Sequence, residues 1–218
     1  MAVYTPNLVT IGVDGLGTYQ SEGKDIPTRA CKALATGNTV YVASGQIPEQ
    51  LKNNVLAIGD WFGTEDFALN SSALGSSVQA MLTRIRTSDA GRFPQGARIL
   101  TLVAARPNHG GIRFRVTAFT AAQFGDVTAS HQDITETGVT FDSAANGYRP
   151  TIPKNFATAN PLKLVRIGIQ GAFKRPGSFS GPPITLLQVT PDKIRWVTYG
   201  NCQTDGGNTW DTTPPSQR

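Results

Sequence analysis

Charge is scarce in this chain. Its 218 residues include 20 Lys and Arg and 15 Asp and Glu, which is 16% of the total, where an ordinary soluble domain carries about 25%. Histidine and cysteine are scarcer still, two of each. That shortage rules out a disulfide framework, since a stapled fold needs several cysteines at regular spacing. It also leaves no His and Cys set with zinc-site spacing, and it removes the usual raw material for imidazole or thiol catalysis. Cys31 and Cys202 read as reduced thiols, with one long-range bridge as the alternative. No run approaches the roughly 20 apolar residues of a membrane-spanning helix. The opening residues MAVYTPNLVT have no basic stretch followed by an apolar run, so they do not read as a secretion signal.

What the chain has instead is Thr, Gly and Pro: 25, 23 and 14 residues. Gly and Pro punctuate short apolar runs, which is how strands and turns alternate. Ile112–Phe119 alternates apolar and polar residues, the period-2 pattern of a half-buried strand. Arg98–Ala104 precedes it across the turn residues of Arg106–Gly111, so the two are expected to form a hairpin. Ile184–Val189 and Ile194–Tyr199 form a second pair around Thr190-Pro-Asp-Lys193, where Pro presets the φ of a tight turn. Leu162–Ile169, Thr39–Ala43 and Val55–Ile58 are expected as further strands.

One segment departs from this pattern. Leu74, Val78, Met81, Leu82 and Ile85 recur at helical spacing, with Ser71 or Ser72 to cap the start and Gly91 past the end. This predicts one amphipathic helix near 73–88, and a shorter helix over Thr28–Ala35 is a weaker expectation. The expected fold is mainly β, an antiparallel β-sandwich or barrel with that one amphipathic helix. Residues 1–218 read as a single β-rich domain with an extended polar C-terminal tail from about residue 201. That tail has little to fold around, so a neighbouring subunit is expected to hold it.

The few charges are segregated. Residues 84–115 carry seven arginines against Asp89, and residues 149–195 carry eight basic residues against Asp192. Residues 1–66 and 126–142 lean acidic. Basic blocks can grip phosphate backbones or pair with the acidic block of a second copy. The candidate basic interface is Arg84, Arg86, Arg98, Arg113, Arg115, Lys163, Arg166, Lys174 and Arg175. Copies of the same chain are its favoured partners and nucleic acid the weaker one. Phe114 falls on the apolar side of its strand, which argues against base stacking.

Catalytic constellations are thin. His109-Gly-Gly111 lacks a Gly-x-Ser-x-Gly nucleophile elbow and explains itself as a turn. His131-Gln-Asp133 has no nucleophile assigned to it by sequence. Asp205–Asp211 offers oxygen ligands without the EF-hand pattern, Asp142–Gly147 reads as an Asx turn, and Val13–Thr18 lacks the spacing of a dinucleotide loop. The sequence therefore predicts no enzyme, no catalytic, metal or cofactor residue, no cofactor and no membrane partner.

In texture the chain resembles virion structural proteins of tailed bacteriophages, on stretches such as Gly37–Gly45 and Phe114–Thr120. The resemblance implies a capsid, decoration, connector or tail component, made in the host cytoplasm and located in the virion, that works by self-association with other virion proteins. The alternative is a β-sandwich ligand-binding module, carbohydrate being one ligand, with Trp61, Trp196 or Trp210 as a stacking platform. A hydrolase using His109 or His131 is the third reading.

Overall fold

Fourteen strands account for most of the described chain and pair only in antiparallel ladders. The computed structural model describes residues 1–21, 24–29, 32–36, 38–45, 80, 82–84, 86–87, 94–123, 126–141, 149–175, 180–198, 201–203 and 209–211. The strands are β1 (Ala2–Thr5), β2 (Leu8–Asp14), β3 (Leu16–Ser21), β4 (Lys24–Arg29), β5 (Ala33–Thr36), β6 (Thr39–Gly45) and β7 (Arg98–Asn108). They continue with β8 (Gly111–Ala121), β9 (Val127–Asp133), β10 (Gly138–Thr140), β11 (Ile184–Val189), β12 (Ile194–Thr198), β13 (Asn201–Gln203) and β14 (Thr209–Asp211). Sheet I runs β10-β1-β2-β11-β12 and sheet II runs β5-β6-β7-β8-β9, while β3–β4 and β13–β14 stand as two-stranded pairs.

The two large sheets stack through their alternating apolar residues, as the sandwich expectation required. Ala2, Tyr4, Val9, Ile11, Leu187 and Trp196 of sheet I meet Val40, Val42, Ala105, Ile112 and Phe114 of sheet II in one buried core. Tyr4 and Phe114 lie ring on ring across the gap, centroids 5.7 Å apart. Burying a side chain such as Leu187, which is 0% exposed, contributes about 1.5–3 kcal/mol.

A helix covers the outer face of each sheet. Residues 80, 82–84, 86 and 87 are helical (α1) within the stretch expected near 73–88, and the rest of that stretch lies outside the described residues. Leu82 of α1 packs on Leu100, Leu102 and Phe119 of sheet II. On the other side α2 (Pro161–Phe173) packs Leu164, Val165 and Ile169 on Val3 and Leu186 of sheet I. The layers are thus helix, sheet, sheet, helix.

Helix α2 corrects the strand expected over Leu162–Ile169. Its buried residues 164, 165, 168, 169 and 172 follow a helical period, which apolar residues on a short stretch mimic with a strand-like run. Asn160 caps the helix by accepting from the Leu162 and Lys163 backbone nitrogens, and Pro161 occupies the first turn, where a missing N–H costs nothing. Close packing needs Gly12 beneath it. A Cβ there would sit 2.7 Å from Ile169 Cδ1 and 2.9 Å from Leu186 Cδ2.

One further expectation changes. The helix over Thr28–Ala35 is replaced by β4 and β5, because Lys24–Arg29 pairs with Leu16–Ser21 and Ala33–Thr36 pairs with Thr39–Val42. Within the polar tail, Asn201–Gln203 pairs with Thr209–Asp211. Both hairpins read from sequence stand: β7 pairs with β8 around His109-Gly110, and β11 pairs with β12 around Thr190–Lys193. Val55–Ile58, Cys31, Trp61 and Asp142–Gly147 lie outside the described residues.

Candidate functional site

At one end of the inter-sheet core the apolar side chains give way to polar ones around a cavity of about 270 Å³. Its floor is apolar, with Ile11 and Val13 on one sheet and Val42, Val103 and Val116 on the other. Its polar lining includes Asp14, Lys32, Ser44, Arg98 and Thr101.

Asp14 is the last residue of β2 and ties three segments together. Lys32 Nζ donates to Asp14 Oδ1 at 2.9 Å and to Oδ2 at 2.8 Å. The backbone nitrogens of Leu16 and Gly181 each donate to Oδ2 at 3.3 Å. Lys32 is placed in turn by its carbonyl, which accepts from Ala43 N at 2.9 Å. The two side chains are 20% and 16% exposed, so the pair is only partly screened by water. At the start of the chain Gly12 N donates to the Met1 carbonyl at 2.9 Å and Met1 N donates to the Gly12 carbonyl at 3.0 Å. These bonds extend the β1–β2 ladder to the cavity wall.

Strand alternation brings two hydroxyls to the same end. Val40, Val42 and Ser44 share the inward face of β6, and Ser44 stands opposite Thr101 on β7. Thr101 is 2% exposed, and its Oγ1 has no hydrogen-bond partner among the described residues. A buried hydroxyl without a partner costs about 1–3 kcal/mol, so its persistence beside a cavity is informative. The register then shifts between Arg98 and Leu100. Ile99 and Leu100 both enter the α1-side core, and this bulge leaves Arg98 at the cavity mouth. Gly45 permits it: its φ is +133°, and a Cβ would sit 2.9 Å from the Leu100 Cα.

A second polar cluster lies on the opposite, α1-side face of sheet II. Arg115 forms a two-pronged ion pair with Asp133, Nε to Oδ1 at 2.5 Å and Nη2 to Oδ2 at 2.5 Å. These bonds hold the Asp133 carboxyl below its ordinary value. His131 Nδ1 and Thr117 Oγ1 lie 3.0 Å apart. Partial burial and then the Arg115 charge lower the His131 pKa, against an upward pull from Asp133. The imidazole is exposed on the sheet face.

The structure does not gather the nine basic residues into one surface. Arg84 is exposed on α1, while Arg86 is 7% exposed and donates to the Asp126 carbonyl. Arg113 and Arg115 lie on β8, and Arg98 stands at the cavity mouth. Lys163 and Arg166 on α2, and Lys174 and Arg175 just past its end, are exposed on the far side of the sandwich. Asp133 from the acidic stretch meets its arginine within the same chain. Trp196 is 5% exposed in the inter-sheet core, so it offers no stacking platform, and the side chain of Trp210 lies outside the described residues. His109 occupies the exposed β7–β8 turn.

Sequence reading missed Asp14, Lys32, Ser44 and Thr101, since they belong to no motif and meet only through sheet pairing. The described residues hold no group of three His, Cys, Asp or Glu that could ligate a metal. None of their helices is long and apolar enough to cross a membrane.

No protein-family model matches the chain, and no curated protein matches it in sequence. Solved structures do resemble it. BPH of Thiobacillus denitrificans in complex with epoxomicin is 15% identical, with 87% of this chain and 96% of that one covered and a TM-score of 0.49. Anbu, an ancestral β-subunit, from Yersinia bercovieri is 11% identical, with 90% and 86% covered and a TM-score of 0.48. Anbu from Hyphomicrobium sp. strain MC1 is 12% identical, with 91% and 87% covered and a TM-score of 0.42.

These neighbours correct the bacteriophage resemblance and everything drawn from it: the virion subunit, its virion partners and the virion location. The expectation of no enzyme is corrected by the same comparison, which finds BPH in complex with epoxomicin and the ancestral β-subunit Anbu. The ligand-binding module offered as the alternative is set aside on the same finding. The physical source of the error is plain. Uncharged Thr-rich strands are a property of many sandwiches and do not single out a virion protein.

Proposed function

We propose that the chain is a hydrolase of amide bonds whose working site is the inter-sheet cavity. The observation that carries this reading is the Lys32–Asp14 pair, held at 2.8 Å, lining the same cavity as the hydroxyls of Ser44 and Thr101. Hydroxyl nucleophiles need a neighbouring group to take their proton and a cation or N–H to face the oxyanion. Ser44 supplies the nucleophile, being the less buried of the two hydroxyls. The ammonium of Lys32, held by Asp14, faces the negative charge that develops on the acyl oxygen, and the Ser44 hydroxyl proton passes to the nitrogen of the breaking amide bond. The amine leaves with a proton, and water then cleaves the acyl ester.

The test is release of a fluorogenic amine from a panel of acyl-amides and short peptides. Ser44→Ala and Lys32→Met are expected to lower kcat/KM at least 100-fold while the fold, followed by circular dichroism, is retained. A wild-type protein inert on the whole panel, or variants as active as wild type, would overturn the reading. The chain is further proposed to act as one subunit among copies of itself, with the basic, exposed side of α2, where Ile167 is 55% exposed, as the surface offered.

A further inference from the structure

We infer that the cavity selects a short, uncharged side chain carrying a hydroxyl, of the serine or threonine kind, on the residue whose carbonyl is attacked. This deepens the amide-hydrolase reading and rests on it only for the bond that is broken. Three observations point to such a side chain.

The first is Thr101. It lines the cavity together with Val103, two positions further along β7. Its Oγ1 is buried and has no hydrogen-bond partner among the described residues. A hydroxyl both donates and accepts, so a ligand hydroxyl satisfies it in either role. The second is charge. Asp14 is the one carboxylate among the described lining residues, and Lys32 holds it at both oxygens. Arg98 and the Met1 amine are likewise engaged within the protein. The lining sets aside no charge for a ligand, and a charged group buried there would go uncompensated, so the side chain that enters is neutral. The third is the floor. Val42 and Val103 are register partners on β6 and β7, and Ile11, Val13 and Val116 extend their apolar surface. That surface takes the hydrocarbon part of the side chain while its hydroxyl meets Thr101.

Register says which residue of the substrate is read. Ser44 and Thr101 are partners on β6 and β7, and residues directly opposite carry their Cβ atoms about 4.5–5.5 Å apart. An acyl carbon reached by Ser44 Oγ therefore brings a hydroxyl on the β-carbon of the same residue within reach of Thr101 Oγ1. A cavity of about 270 Å³ is below the range of about 300–1,000 Å³ typical of drug-sized ligand sites, which suits one small residue. The selected hydroxyl takes no part in the bond change.

Valine and threonine share a shape and differ by a hydroxyl, so N-acetyl-L-threoninamide and N-acetyl-L-valinamide isolate the contact. Both can be titrated by NMR or calorimetry into wild type and into the Ser44→Ala protein, where neither is cleaved. The threonine ligand is expected to bind at least about 10-fold more tightly, because a site with a buried polar group rejects the analogue that leaves it unpaired. Thr101→Val is expected to reverse that preference. The same change should raise the urea midpoint of the free protein, since it removes a buried hydroxyl that has no partner. Equal affinity for the two ligands, binding of neither, a preference that survives Thr101→Val, or a midpoint lowered by that change would overturn the inference. A threonine preference in a protein that cleaves no amide would leave it standing and remove the hydrolase. Cleavage of threonine and valine amides with equal kcat/KM would do the reverse.

Discussion

Replacing Asp14 by Asn removes the charge that holds Lys32 while keeping the side chain's shape. The carboxylate accepts four hydrogen bonds, two from Lys32 Nζ and one each from the Leu16 and Gly181 nitrogens. An amide keeps one acceptor oxygen, which in the Oδ2 position still accepts from the Leu16 and Gly181 nitrogens, so what is lost is the charged pair with Lys32. For an exposed pair the loss is about 0.2–1 kcal/mol, and for a buried one about 3–5 kcal/mol. With side chains 20% and 16% exposed, Lys32 keeps some access to water, which places the expected cost near the middle, at about 2 kcal/mol. Urea unfolding, read by the fluorescence of the buried Trp196, should show a midpoint lowered by about 1 M, given a slope of about 2 kcal/mol/M. Lys32→Met and the double variant complete a cycle, and the pair should show a coupling of about 1–2 kcal/mol. A coupling below about 0.5 kcal/mol, the scatter expected of independent sites, would mean that the two groups do not hold one another in solution. The cavity would then lose the pair on which its chemistry is built.

Two other outcomes follow from the structure. Burial pushes the Tyr41 hydroxyl up to about 12, outweighing a hydrogen bond with Thr39 and the Arg106 charge, which pull it down. The unfolded chain releases this proton near pH 10 and the folded chain near pH 12, so stability should fall as pH rises through that window, by about 2–3 kcal/mol in all. Tyr41→Phe should not show this loss, and urea midpoints of the two proteins that run parallel from pH 9 to 11.5 would refute it. Light scattering should give a mass that is a multiple of 23.2 kDa; a monomer at high concentration would refute self-association.

Legibility differed between the elements for physical reasons. Ile112–Phe119 was readable because alternation records a strand with one face buried, and the structure buries Ile112 and Phe114 as expected. Leu162–Ile169 misled because a short apolar run fits both periods, and the deciding signals, Asn160 as cap and Pro161 in the first turn, are local chemistry rather than periodicity. Thr28–Ala35 misled for the opposite reason: its residues form helices readily, but pairing with β3 and β6 outweighed that preference.

The sequence by itself determined an antiparallel sandwich, because period-2 patterning, tight-turn residues and the lack of long helical stretches are all local. It also determined that imidazole, thiol and metal chemistry are poorly supplied here. Only the tertiary structure decided where the scarce charges act. Asp14 and Lys32 are 18 residues apart and Gly181 is 167 residues from Asp14, so no local pattern records their meeting. Likewise Arg98 reaches the cavity through one bulge in one register, a property of two paired strands that neither strand holds alone.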